Sequence, residues 1–446
     1  MEILNTPCGP IRGVPGRVPS TVAYKGIRYA TAGRWELPRE VRRWEGVFDG
    51  SGYGYCSYQP RAFYNEEENL KKIFYYYEFR KGEHYIYSED CLFLNIYAPE
   101  TAKEGDKLPV LFYIHGGGFT GGCGHEKHFD GPVWPAKGVI GVTINYRLGP
   151  MGFVTLPELE AEQGGFAGNY GLYDQLTALK WVRRNIAAYG GDPENITIMG
   201  QSAGAMSVQQ HLLSPLSRGL FRRAVLSSGG GVSKLMPTTK KETAQAFWAA
   251  CMKKAGCENL QAFRCLPPEK LFEAWQQTRK EVKGGNCFPI ADGKFVVPGS
   301  ELGRDVSCMA GSTSEDMMPP ILQSMAKGWC DGQSEPSYAW YFDRRLPGDD
   351  NGAWHSSDLW YWFGTLPNCW RPMTPKDYLL SDRMTDYLTN FCKTGDPNGA
   401  KPLPNWAPSS EQDKRVLVLG EEDPRMAKAP MLKMIKTMLT NKAVGE

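Results

Sequence analysis

The segment Asn195-Ile-Thr-Ile-Met-Gly-Gln-Ser-Ala-Gly204 constrains this chain more than any other. A β-branched run leads into Gly-x-Ser-x-Gly, and a helix-forming stretch, Ala205 to Leu213, follows at once. A strand can turn this sharply into a helix only where small residues let the two pass closely, and Gly200 and Gly204 supply them. The turn strains the backbone at Ser202 and exposes its hydroxyl as a candidate nucleophile. A glycine-flanked serine by itself can be an ordinary turn; the strand before it and the helix after it make the chemical reading the stronger one.

The rest of the chain fits a strand and helix of this kind. Apolar runs at Pro109 to Ile114, Ile140 to Tyr146, Ile196 to Met199, Ala224 to Ser228, Val306 to Ala310, Tyr338 to Phe342 and Val416 to Leu419 are continuous rather than alternating. That pattern predicts strands buried on both faces of a sheet. Between them Leu172, Leu176, Leu179, Val182 and Ile186 recur at helical spacing before Gly190-Gly191. Strands alternating with helices predict a mostly parallel α/β sheet flanked by helices. Residues 237–305 break the alternation with helix-forming stretches such as Lys240 to Ala255, and read as a helical insertion over the sheet. With no internal repeat or low-complexity linker, the 446 residues are expected to form one domain, 1–446.

Charge narrows the partners. With 51 Lys+Arg against 49 Asp+Glu, the net charge of +2 implies neither a nucleic-acid footprint nor a polybasic membrane patch. No apolar stretch reaches transmembrane length, and the first twenty residues lack the apolar core of a signal peptide, so a cytoplasmic location is expected. The twelve cysteines show no paired CxxC spacing, and reduced thiols without a metal cluster are expected.

A second motif complements the serine. His115-Gly116-Gly117-Gly118-Phe119 follows the apolar run ending at Ile114. When a serine attacks an ester carbonyl, the oxygen becomes an anion, and backbone N–H groups already aimed at it contribute roughly 3 to 4 kcal/mol each to rate acceleration. Gly117 and Gly118 are the candidate donors, with the Ala203 N–H at the positive end of the following helix. A phosphate-cradling reading fails because the chain has no G-x-x-x-x-G-K-[ST], and Gly121-Gly122-Cys123-Gly124 is not followed by a helix and an acidic ribose ligand.

With these motifs in place, the chain resembles the type B carboxylesterases, a family that includes cholinesterases and bacterial para-nitrobenzyl esterases. The resemblance covers nearly the whole length, through Tyr24-Lys-Gly-Ile-Arg-Tyr-Ala30, Ser88-Glu-Asp-Cys-Leu-Phe-Leu-Asn95, Asn145-Tyr-Arg-Leu148, Gly171-Leu-Tyr-Asp-Gln175, Trp181-Val-Arg-Arg-Asn-Ile186, Gly190-Gly-Asp-Pro193 and Lys393-Thr-Gly-Asp-Pro-Asn398. It implies an α/β-hydrolase fold and a serine, acid, histidine triad in that chain order.

Serine needs a histidine to take its proton, and the histidine needs a carboxylate to fix its tautomer. Of six histidines, His84 lies in a tyrosine-rich loop, His115 in the glycine loop and His211 on the helix after the serine. His125-Glu-Lys-His128 is one residue short of a zinc-binding H-E-x-x-H. His355 remains, in Gly352-Ala-Trp-His-Ser-Ser-Asp-Leu359, which is similar to the family's catalytic G-A-x-H-x-x-E-L pattern. For the acid, relatives place a glycine and, five positions later, usually a glutamate; counting from Gly311 lands on Asp316, with Glu315 as the adjacent alternative. The resemblance also marks Arg34, Glu89, Arg147 and Asp174 as structural ion pairs. It places Cys56 with Cys91, and Cys257 with Cys265, where secreted relatives carry disulfides.

The expected activity is that of a serine carboxylesterase acting on small, largely uncharged acyl or aryl esters through an acyl-enzyme, with no cofactor and no metal. Phenolic or cinnamoyl esters and thioesters are the alternative substrates, and a non-catalytic binding protein is the alternative class. Two aromatic clusters, Phe74 to Phe79 with Tyr85 and Tyr87, and Trp354 to Trp370, are candidates for an apolar cleft, although ordinary core packing claims many of these rings. Residues 57–90 hold no tryptophan, and Gln201 stands where cholinesterases have a glutamate, so choline esters are disfavoured.

Overall fold

The computed structural model describes residues 2–70, 73–230, 239–399 and 402–440. Its core is an eleven-stranded sheet. In chain order the strands are β1 (Val14–Pro15), β2 (Thr21–Arg28), β3 (Phe93–Pro99), β4 (Leu108–Ile114), β5 (Ile140–Ile144), β6 (Gly191–Gln201), β7 (Arg223–Ser227), β8 (Ser307–Thr313), β9 (Tyr338–Phe342), β10 (Arg415–Leu419) and β11 (Arg425–Lys428). They lie side by side as β11-β10-β9-β8-β7-β6-β4-β5-β3-β2-β1. From β5 through β4 and β6 to β10 every pairing is parallel, and the edges are antiparallel.

Each continuous apolar run noted above falls on a strand of this parallel centre. Successive side chains leave opposite faces, so β4 feeds two cores at once. Val110, Phe112 and Ile114 join a core with Ile196, Ile198 and Leu176, whereas Leu111 and Tyr113 join another with Met199, Val225 and Trp362. Helix α1 (Tyr170–Asn185) covers the first core and, after a 3-10 turn, stops at Gly190, whose φ of 87° suits glycine. Helix α2 (Ala203–Leu213) follows β6. Between β7 and β8 come α3 (Lys241–Lys254), a short helix Leu260–Arg264 and α4 (Pro268–Arg279). Residues 237 and 238, the start of the expected insertion, lie outside the described residues. Helix α5 (Pro319–Asp331) packs on β8, and α6 (Leu359–Phe363) and α7 (Pro375–Thr394) build the second core. Thr374 and Asp377 form a capping box at the start of α7.

Strand order reverses at β4: the chain continues to β5 on one side and then crosses to β6 on the other. In open α/β sheets such a reversal leaves a crevice beyond the carboxyl ends of the strands, which is where ligands bind. Ile114 pairs with Gly200 at those ends, so the glycine loop and the candidate nucleophile emerge together. Among the described residues, no helix is long and apolar enough to cross a membrane.

Candidate active site

Ser202 sits between β6 and α2 with φ 56° and ψ −124°, outside the conformations a non-glycine residue ordinarily adopts. Two contacts hold it there. Its N–H donates to the Ser227 carbonyl at 2.9 Å, and its carbonyl accepts from the Met206 N–H at 3.0 Å. The flanking glycines are required by close approach: a Cβ at Gly200 would stand 2.3 Å from the Gly204 backbone, and one at Gly204 2.1 Å from the Ile114 oxygen. This is the elbow expected from Gly-x-Ser-x-Gly.

The glycine loop closes over the same point. A Cβ on Gly116 would lie 3.0 Å from the Ser202 Cβ, so the loop passes directly beside the serine. Gly117 and Gly118 have φ of 107° and 60° and line one cleft with Ser202. The Gly117 carbonyl turns away to accept from the Thr120 and Gly121 N–H groups at 3.0 and 2.9 Å. His115 does not enter the chemistry. Its ring stacks on Tyr146 at 4.5 Å, and its carbonyl accepts from the Tyr146 hydroxyl at 2.9 Å. Ala203 opens α2, whose partial positive end therefore faces the elbow.

From the loops after the neighbouring strands β8 and β9 come the candidate acid and base. His355 Nδ1 lies 2.6 Å from Asp316 Oδ1, and the Asp316 side chain is fully buried. The other Asp316 contacts are also donors: Met317 N–H to Oδ1 at 2.9 Å, and Thr313 N–H and Oγ1 to Oδ2 at 3.2 and 3.1 Å. Burial raises the carboxyl's pKa, but the charge of His355 and its hydrogen bond outweigh burial and hold it below the usual value. For His355 burial acts downward, and the Asp316 carboxylate overcomes it, leaving the imidazole above its ordinary range. Glu315 does different work. Its N–H donates to the Ala353 carbonyl at 3.0 Å and its Oε2 accepts from the Ala353 N–H at 2.9 Å, which clamps the loop carrying His355.

Two neighbours of this dyad go beyond the sequence reading. The Gln201 amide Nε2 lies 3.2 Å from His355 Nε2, and among the described residues no hydrogen bond joins Ser202 to His355. Asp358, three residues after His355, is fully buried and accepts from Ser227 Oγ at 2.7 Å and Trp362 Nε1 at 3.1 Å. Burial drives its pKa up to about 6, and the nearby Asp316 charge adds to this. The D in the G-A-x-H-x-x-D-L segment was the available hint.

The remaining candidates resolve into structure. His211 is buried between Ser217 Oγ at 2.8 Å and Gln175 Oε1 at 3.3 Å, and burial lowers it to about 3. His128 stacks on Phe79 at 3.8 Å. His84 is exposed. Arg34 pairs with Glu89 through Nε at 2.9 Å, and Arg147 with Asp174 at 2.7 Å, as the resemblance implied. All twelve cysteines are free, including Cys91, Cys257 and Cys265.

Ser202 and His355 open into a cleft of about 440 Å³, a size that suits a small organic ligand. Tyr64, Tyr75, Phe79 and Phe129 give it aromatic walls. From the second aromatic cluster, Trp354, Trp360, Tyr361, Trp362 and Phe363 are buried in the core, and none lines the cleft. Its charged residues pair off: Arg61 with Glu126 and Arg80 with Glu66, each at 2.6 Å.

The carboxylesterase family model matches residues 1–328 and 320–437. The chain belongs to the carboxylesterase family. Its sequence is 30% identical to the para-nitrobenzyl esterase of Bacillus subtilis (strain 168) over 94% of this chain and 95% of that protein. It is 36% identical to a cocaine esterase of Oryctolagus cuniculus, covering 94% and 92%. A solved PNB esterase superposes with a TM-score of 0.83 at 27% identity over 99% of this chain and 100% of the other. A carboxylesterase of Geobacillus stearothermophilus gives 0.80 at 28% identity, over 98% and 100%. This carboxylesterase therefore has the α/β-hydrolase fold and is a carboxylic ester hydrolase.

Proposed function

We propose that this carboxylesterase hydrolyses small, largely uncharged acyl or aryl esters through an acyl-enzyme on Ser202. The carrying observation is the line from buried Asp316 through His355, 2.6 Å apart, into the cleft that also exposes Ser202. His355 Nδ1–H donates to Asp316, so the lone pair is on Nε2, the tautomer a general base needs. For reaction, the Ser202 hydroxyl replaces the Gln201 amide at Nε2. Ser202 Oγ attacks the carbonyl carbon while its proton passes to Nε2, and the oxyanion forms against the N–H groups of Gly117, Gly118 and Ala203. Collapse breaks the ester C–O bond, and His355 returns the proton to the leaving alcohol. Water then adds to the acyl-enzyme by the same base, releasing the acid and restoring Ser202.

Aromatic walls and internally paired charges support an uncharged substrate, since the cleft carboxylates Glu66 and Glu126 are each paired with an arginine. We read residues 1–446 as one domain with 237–305 as its helical insertion, and the location as cytoplasmic, a reading supported by the free thiols. Hydrolysis of para-nitrophenyl acetate tests the mechanism. Ser202→Ala is expected to reduce turnover by at least about 10⁴-fold and to abolish labelling by a fluorophosphonate, with folding unchanged. Wild-type turnover in that variant would overturn the assignment.

A further inference from the structure

The loop that leaves the glycine motif brings two cysteines and a histidine together. Cys56 and Cys123 are buried, and His125 is 9% exposed. Their three ligand atoms all lie within 4.8 Å of one another, with Cys56 Sγ 3.6 Å from His125 Nε2. A zinc ion about 2.3 Å from each sulfur and about 2.0 Å from nitrogen, at near-tetrahedral angles, separates its ligand atoms by about 3.5 to 3.8 Å. The group thus stands within small side-chain movements of a ligand set.

Its surroundings are built rather than incidental. Tyr53 stacks on the His125 ring at 4.6 Å, and Tyr85 packs against it at 5.6 Å, which fixes the imidazole. Gln59 ties the two chain segments by donating to the Gly122 carbonyl at 3.1 Å and accepting from the Gly122 N–H at 2.9 Å. Two buried polar atoms here, His125 Nδ1 and the Tyr85 hydroxyl, have no hydrogen-bond partner. Buried polar groups are ordinarily satisfied, so this cluster holds more polar capacity than the protein atoms use. A cavity of about 100 Å³, lined by Glu83, exposed His84, Tyr85 and His125, reaches the cluster on its His125 side.

We propose that Cys56, Cys123 and His125 form a zinc-class metal site, with water in the fourth position, that pins the glycine loop to the Cys56 segment. Two thiolates and an imidazole select a soft or borderline d¹⁰ cation over magnesium or calcium. The thiolates neutralise the divalent charge, and each thiol proton goes to solvent when metal binds. The site lies beside the catalytic residues but supplies none of them, so its role is structural. Neither the 67-residue gap from Cys56 to Cys123 nor the truncated H-E-x-x-H spacing shows it in the sequence.

The test uses the fully reduced, full-length chain under anaerobic conditions. Titration with cobalt(II) is expected to give a sulfur-to-cobalt charge-transfer band that saturates at equimolar metal. The band is expected to be lost in Cys56→Ser and Cys123→Ser, weakened at least about tenfold in affinity in His125→Ala, and retained in Cys265→Ser. In a second arm that needs no variant, zinc is expected to slow alkylation of Cys56 and Cys123, mapped by peptide mass, at least tenfold while leaving exposed Cys265 unchanged. No band, a band that survives Cys123→Ser, or no zinc protection of these two thiols overturns the proposal. So does a Cys56–Cys123 disulfide in the protein purified without reductant that persists in the presence of zinc and thiol buffer.

Discussion

Replacing Asp316 by asparagine separates the charge of the acid from its shape. Four donors face the carboxylate: His355 Nδ1 and Met317 N–H at Oδ1, Thr313 N–H and Oγ1 at Oδ2. The asparagine amide must put its own N–H₂ against one pair. At Oδ1 it would force the His355 proton onto Nε2, destroy the base and leave Met317 N–H unpaired. At Oδ2 only Thr313 N–H is left unpaired, because the Thr313 hydroxyl can turn and accept, so this orientation costs less. The tautomer then survives and the charge is lost. The adjacent carboxylate stabilises the imidazolium and so raises the His355 pKa against the cost of burial. Loss of the charge removes that stabilisation, and a wrong tautomer costs about 10⁴ in kcat/KM. We expect a fall of about 10² to 10⁴, read from para-nitrophenyl ester hydrolysis across pH. The pH profile carries the sharper test. His355 must be neutral to act, and Asp316 holds it above its ordinary 6.5, so wild-type activity is lost as pH falls through that raised value. In Asp316→Asn the acidic limb moves to lower pH. Glu315→Gln, whose partner is Ala353 rather than His355, should leave the limb in place. A folded Asp316→Asn enzyme with an unmoved limb and activity within about tenfold of wild type would refute the reasoning.

Three further outcomes follow from the same geometry. Gly204→Ala puts a Cβ 2.1 Å from the Ile114 oxygen; overpacking of this kind costs about 1 to 3 kcal/mol or more, and because His115 follows Ile114, turnover should fall further than thermal stability does. Asp358 is an acid raised from 3.8 to about 6, so the fold loses stability as pH rises between those values, by about 3 kcal/mol in order of magnitude; thermal melts of Asp358→Asn should lack that decline between pH 4 and 7. Asp377, held down to about 2 by Arg344, Thr374 and Tyr361 against the cost of burial, has the opposite sign. Its contribution is present above pH 3.8 and lost as pH falls toward about 2, so Asp377→Asn should destabilise by about 3 to 5 kcal/mol at neutral pH, with a difference that shrinks in acid denaturation below pH 4.

What the sequence disclosed and what it concealed divide along the range of the interactions. The elbow, the glycine loop and the continuous strands β4, β5 and β7 are legible because each is set by neighbours within a few residues. Strands β2 and β3 are not, because Lys25-Gly26 and Asn95 interrupt their apolar runs. Only the fold explains Asn95: its side chain accepts from Gly26 N–H at 2.9 Å and donates to Thr143 Oγ1 at 3.1 Å, which joins β2, β3 and β5 inside the sheet. A buried amide satisfied on both sides looks, in sequence, like a polar break. Which aromatic rings line the cleft is hidden for a related reason. Composition says that such rings pack somewhere, but Trp360, Tyr361, Trp362 and Phe363 of α6 are buried away from the cleft, whereas Tyr75 and Phe79 of the short helix Ile73–Phe79 line it.

Gln201 marks the boundary of what spacing can convey. Its position before the serine is visible, and so is its contrast with the glutamate of cholinesterases. Its action depends on the elbow, which turns Ser202 out of line and leaves the preceding side chain 2% exposed and 3.2 Å from His355 Nε2. There it donates to the lone pair that the serine needs. A neutral amide at that nitrogen adds no negative charge to those of Asp316 and Asp358, which already favour the imidazolium. The elbow thus fixes more than Ser202: by the same turn it sets the Gln201 amide against the His355 imidazole.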